Sequence, residues 1–131
     1  MELTMQQAFD QAYAGVMTQG HKSQGVHGGC AYRGAGGSKC GVGQLITDEE
    51  YTIGMDGSGG GKSTSIYNVI DLFPARVRAL PMDFLAAIQR AHDGCGKGWN
   101  KKEFEVEFHH HMEIVARDWK LKMPEPMKEA A

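Results

Sequence analysis

The sequence predicts a small α+β domain, mainly helical, with a glycine-rich β-hairpin and a long amphipathic C-terminal helix. Three observations lead there. Apolar residues recur at helical spacing near both ends of the chain, 13 of its 18 glycines fall between Gly25 and Gly61, and two short segments face each other across a glycine-rich turn within that window. A chain of 131 residues supports one core. The reading is therefore a single globular domain over residues 1–122 and a flexible tail over 123–131.

Each element has its own signal. Thr4 is placed to cap a first helix in which Met5, Phe9, Ala12, Val16 and Met17 share a face, and Gly20 ends it. Cys30-Ala-Tyr-Arg33 and Lys39-Cys-Gly-Val42 flank Gly34-Ala-Gly-Gly-Ser38, which reads as the hairpin with a five-residue turn. Ile66, Val69, Ile70 and Phe73 mark a short amphipathic helix stopped by Pro74, and Ala75 to Leu80 allows another helical turn. Pro81 starts a helix carrying Phe84, Leu85, Ile88 and Ala91, ending near Asp93-Gly94. Asn100 and Glu103 then have capping-box spacing, and Phe104, Phe108, Met112, Val115 and Trp119 form one stripe that faces either the chain's own core or a second copy.

Composition excludes several functions. A net charge of −2 and a pI near 6.3 provide no global field for a nucleic-acid backbone, so general DNA binding is disfavoured. No run of about 20 apolar residues exists to span a membrane, and the first residues lack a signal peptide's pattern. Three cysteines without a CxxC pair suit reduced thiols, hence a cytoplasmic setting.

Four motifs invite chemistry. Asp56-Gly-Ser-Gly-Gly-Gly-Lys-Ser-Thr64 resembles a phosphate-binding P-loop, but Asp56 stands where the first glycine belongs, which leaves Lys62 at most an anion-contacting residue on a solvent loop. Between His21 and Gly43 the chain carries Lys22, Arg33 and Lys39 and no carboxylate. With Tyr32 as a stacking face, these residues would form an anion site in a glycine-rich concavity; the alternative is a solvated rim balancing Asp48-Glu-Glu50. Cys40 with His92 as base would make a small enzyme. Cys30, Cys40, His92 and Cys95 would make a zinc staple, though their spacing is loose. His109, His110 and His111 point about 100° apart around one helix and cannot all share a metal. No cofactor is expected.

The run Cys30-Ala-Tyr-Arg-Gly-x-x-Gly-x-Lys-Cys-x-Val-Gly-x-Leu-Ile-x-Asp-Glu-x-Tyr51, followed by Leu85-x-x-Ile-Gln-x-x-His-Asp93, resembles the signature of a family of short, uncharacterised phage and prophage proteins. The Gly57–Thr64 loop replaces a shorter turn usual in that family and is peculiar to this chain. The resemblance implies a bacterial host cytoplasm and supplies no activity. By analogy with small phage accessory proteins, the expectation is a binder that counteracts a host defence or host factor stoichiometrically, taking either a host protein or a small anionic nucleotide. Lys22, Tyr32, Arg33, Lys39 and Lys62 are the expected contact residues.

Overall fold

The computed structural model describes residues 2–21, 23, 32–33, 38–52, 55, 66–95 and 100–124. Five α-helices are seen among them: α1 (Met5–Gln19), α2 (Ile66–Val69), α3 (Ala75–Arg78), α4 (Met82–Asp93) and α5 (Lys101–Trp119). Two 3₁₀ turns, Val42–Leu45 and Ile70–Leu72, complete the described elements.

The helix termini follow local chemistry. At α1 the Thr4 hydroxyl accepts from the Gln7 N–H at 3.1 Å, and the Gln7 side chain returns to accept from the Thr4 N–H at 2.9 Å. The helix closes on Gly20 at φ +78°, a left-handed conformation that costs glycine little. At α5 the Asn100 side chain accepts from the Glu103 N–H at 2.8 Å, but the Glu103 carboxylate accepts from the Asn100 side-chain amide at 2.8 Å in place of its backbone N–H, so only the first half of the expected capping box is formed. Pro81 stands one residue before α4, at its cap. The short helix expected through Ile66, Val69, Ile70 and Phe73 tightens into 3₁₀ geometry at Ile70, and Phe73 is extended before Pro74.

The core is shared by all of these elements. α4 and α5 pack antiparallel: Phe84 meets Trp119 edge-on at 5.5 Å, and one helical end away the Ala91 carbonyl lies 3.0 Å from His111 Nδ1. α1 lies on α5 through Tyr13, stacked on Phe108 at 6.1 Å. Phe9, Leu45, Phe84, Ile88, Phe104, Phe108 and Met112 are all essentially inaccessible, each side chain of that kind contributing about 1.5–3 kcal/mol by leaving water. Leu121 and Met123 are half-buried against this core, and residues 125–131 of the expected tail lie outside the described residues.

The expected β-hairpin is not formed, which corrects the fold class from α+β to helical among the described residues. Arg33 and Lys39 share one isolated antiparallel bridge, and no strand is described on either side of it. The ladder fails because its hydrogen-bonding groups are taken elsewhere. The Lys39 N–H donates to Gln19 Oε1 at 2.8 Å, and its carbonyl accepts from Gln19 Nε2 at 3.0 Å and Gln44 Nε2 at 3.3 Å. One residue later, the Cys40 carbonyl accepts from the Gln44 N–H and starts the 3₁₀ turn. Residues 34–37 of the expected hairpin turn are outside the described residues.

Candidate functional site

Arg33, Arg76 and Gln89 converge on the 3₁₀ turn Val42–Leu45, whose carbonyls and N–H groups need partners from outside because the turn is too short to satisfy them. Arg33 supplies one set. Its Nη1 donates to the Gly43 carbonyl at 2.9 Å and the Tyr32 carbonyl at 3.2 Å, and Nη2 to the Ile46 carbonyl at 2.5 Å. Its Nε reaches Asp48 at 3.2 Å, and its guanidinium lies 5.2 Å from the centre of the Tyr51 ring. A planar cation with five N–H donors suits the C-terminal end of a helical turn, where carbonyls crowd.

Arg76 supplies the second set from α3. Its Nη2 donates to the Leu45 carbonyl at 3.0 Å, and both Nη atoms meet the Glu50 carboxylate at 2.6 Å. Glu50 in turn accepts from the Thr47 N–H at 3.0 Å, while Thr47 Oγ1 accepts from the Glu50 N–H at 3.2 Å. The Arg76 hydrogen bonds, followed by that backbone N–H, hold the Glu50 carboxyl down at about 2.

The N–H groups of the turn are met from the other side. Val42 N–H donates to Gln89 Oε1 at 3.2 Å, and Gly43 N–H to Cys40 Sγ at 3.2 Å. Gln89 then leads into a partly buried chain: its Nε2 donates to Asp93 Oδ1 at 3.3 Å, and that oxygen lies 2.9 Å from His92 Nδ1. His92 Nε2 accepts from the Ser23 N–H at 3.0 Å, and Ser38 Oγ donates to Ser23 Oγ at 3.3 Å. A donor at Nε2 places the ring proton on Nδ1, where it serves Asp93.

This geometry decides what the expected site residues do. Tyr32 is fully buried, edge-on to Phe73 at 5.7 Å, and presents no stacking face to a ligand. Arg33 is 12% exposed and turned onto carbonyls, whereas Lys39 is 32% exposed and 3.8 Å from Asp48. Lys22 and Lys62 fall outside the described residues, as do Cys30 and the Asp56–Thr64 loop. Of the expected balancing carboxylates, Asp48 lies within 4 Å of both Arg33 and Lys39, whereas Glu50 pairs with Arg76.

The enzyme arrangement is not built here. Cys40 and His92 are both inaccessible, the thiol accepts a backbone N–H, and the one lone pair of the His92 ring already holds Ser23. A base with that lone pair occupied has no place for a thiol proton. Among the described residues, no three His, Cys, Asp or Glu side chains gather to hold a metal, and Cys40 and Cys95 are both buried. The three histidines diverge: His109 Nδ1 meets the Tyr13 hydroxyl at 2.7 Å, His110 is exposed, and His111 lies between the Ala91 carbonyl and Glu107, each at 3.0 Å. Burial first, then Glu113 and Glu105, push the Tyr13 hydroxyl up.

A second feature is open to solvent. α4 and α5 leave between them a groove of about 360 Å³ with Ala87, Ala91 and Val115 in it and Arg90, Ile114 and Asp118 at its edges. Ile114 is 37% exposed. Tyr67, half exposed on α2, stands beside the same edge of α4, its hydroxyl donating to Asp83 Oδ1 at 2.5 Å. That hydrogen bond, and then burial, raise the Tyr67 hydroxyl above its ordinary value. Sequence reasoning passed over this face. The usable signal was Ile114 itself, an apolar residue off the Phe104–Trp119 stripe on a helix whose other solvent-facing positions are mostly charged.

The described residues are mainly helical, and Arg33, Arg76 and Gln89 among them hold the chain's own backbone. Comparisons with protein-family models, curated proteins and solved structures find no match to this chain. No helix among the described residues is long and apolar enough to cross a membrane.

Proposed function

We propose that this chain is a non-catalytic phage accessory protein that counteracts a host defence or host factor by stoichiometric binding to a host protein in the bacterial cytoplasm, using the α4–α5 face. The observation that carries this reading is a contrast in exposure. Arg33, Cys40 and His92, the groups with chemistry to offer, are engaged inside the chain, while Tyr67, Arg90 and Ile114 stand open beside a groove. Tyrosine and arginine dominate the energetics of protein interfaces, and Tyr67 is held in place by Asp83 before any partner arrives, which lowers the entropy lost on binding. The nucleotide-sequestering form has less support, because Tyr32 and Arg33 are both turned inward.

A photo-crosslinking residue at position 114 tests the reading, with the same residue at Thr18, exposed on α1, as control. Expressed in the bacterial host, the position-114 protein should form one 1:1 covalent adduct with a host protein that the control does not form. No adduct, or equal adducts from both positions, would end the proposal. Saturable binding of a nucleotide that Lys39→Ala abolishes and Ile114→Lys leaves intact would move the function to the other class.

A further inference from the structure

The charged residues along the α4–α5 groove fall into two sets. Asp83 holds the Tyr67 hydroxyl and Glu107 holds His111, so both carboxylates have partners within the chain. Arg90 and Asp118 remain at the groove's edges. The Arg90 guanidinium makes no hydrogen bond or ion pair with another described residue, and Asp118 has only its neighbour Arg117 at 3.6 Å, both well exposed and therefore weakly coupled. A groove with a cation on the α4 side and an anion on the α5 side complements itself. Rotation about a two-fold axis lays the α4 of one copy against the α5 of another, so Arg90 meets the second copy's Asp118 and the reverse contact follows by symmetry.

The apolar surface fits the same arrangement. Ala87 and Ala91 are small, which lets a second helix approach α4 closely, and Ile114 projects at the groove's edge where it can enter the matching groove of another copy. From these features we infer that the resting protein is an isologous homodimer, joined through the α4–α5 grooves with Ile114 as reciprocal knob and Arg90–Asp118 as reciprocal ion pairs. The inference deepens the proposed function: the host protein would displace one copy from the face it uses.

Sedimentation and native mass spectrometry of the purified chain, up to about 100 µM so that a micromolar contact is saturated, test it. The dimer is expected for the parent. Arg90→Glu alone and Asp118→Arg alone should each weaken it by 10-fold or more, and the two together should restore it, with unchanged circular dichroism in every variant. A monomeric parent, a dimer indifferent to Ile114→Lys, or no restoration in the double variant would overturn the inference. These readouts use the chain alone, so a missing homodimer leaves the host-protein crosslink to stand or fall separately.

Discussion

The backbone N–H of Ser23 donates to Nε2 of His92 at 3.0 Å, which joins the segment after α1 to the last turn of α4. The same ring donates its Nδ1–H to Asp93, and through Gln89 the chain of bonds ends on the 3₁₀ turn. A histidine with this role is a structural acceptor. His92→Ala should leave the Ser23 N–H without its partner in the core and cost about 2–3 kcal/mol. Urea unfolding measures this. A loss below about 0.5 kcal/mol, the range of changes at unremarkable surface sites, would show the bond to be dispensable.

Arg33 and Lys39 separate structural from peripheral charge. Arg33→Met removes donors to three carbonyls and to Asp48 and should cost about 2–4 kcal/mol. Lys39→Met removes a long, half-exposed contact with Asp48 and should cost under about 1 kcal/mol. Thermal melts of both variants check the order; equal effects would place Arg33 with the surface residues.

The Glu50–Arg76 pair makes stability depend on pH in a definite direction. Glu50 is held at about 2 in the folded chain, below its unfolded value of about 4.3. Its contribution is therefore complete above the unfolded value and is lost as pH falls through that value towards about 2. With both side chains about 30% exposed, screening leaves roughly 1 kcal/mol. Urea midpoints measured between neutral pH and pH 3 should fall less steeply in Glu50→Gln, whose stability is already lower at neutral pH. Parallel curves would contradict the assignment.

Gly43 is required by close approach. A Cβ there would sit 2.5 Å from the Tyr32 carbonyl oxygen and 3.2 Å from Cys40 Sγ. Gly43→Ala must push the Tyr32 backbone away from the turn and should cost about 1–3 kcal/mol, with an accelerated reaction of Cys40 with a thiol reagent as the local readout. An alanine variant as stable as the parent, with Cys40 still protected, would refute the contact.

Much of the helical framework was legible locally, because helix ends are set by residues three or four apart. Thr4, Gly20, Asn100 and Pro74 each act where the sequence places them. The stripe of Phe104, Phe108, Met112 and Val115 is likewise buried, as its period requires. The Thr47–Glu50 cap had readable spacing too, although the bond from Arg76 to Glu50 had no local sign.

What only the tertiary structure decided is where the polar atoms around the 3₁₀ turn point. From residue types alone, Tyr32, Arg33 and Lys39 form a cationic, aromatic patch, and the glycines between them permit a hairpin. Gln19 comes from α1 to take the Lys39 backbone, and Gln89 from α4 takes the Val42 N–H. Arg33 then finds carbonyls of the 3₁₀ turn within reach. Each partner is 10 or more residues away in sequence, so no local period announces it. The composition determined that charged and aromatic groups would cluster near the glycine-rich segment; packing determined that several of them face inward, because a short turn cannot satisfy its own backbone.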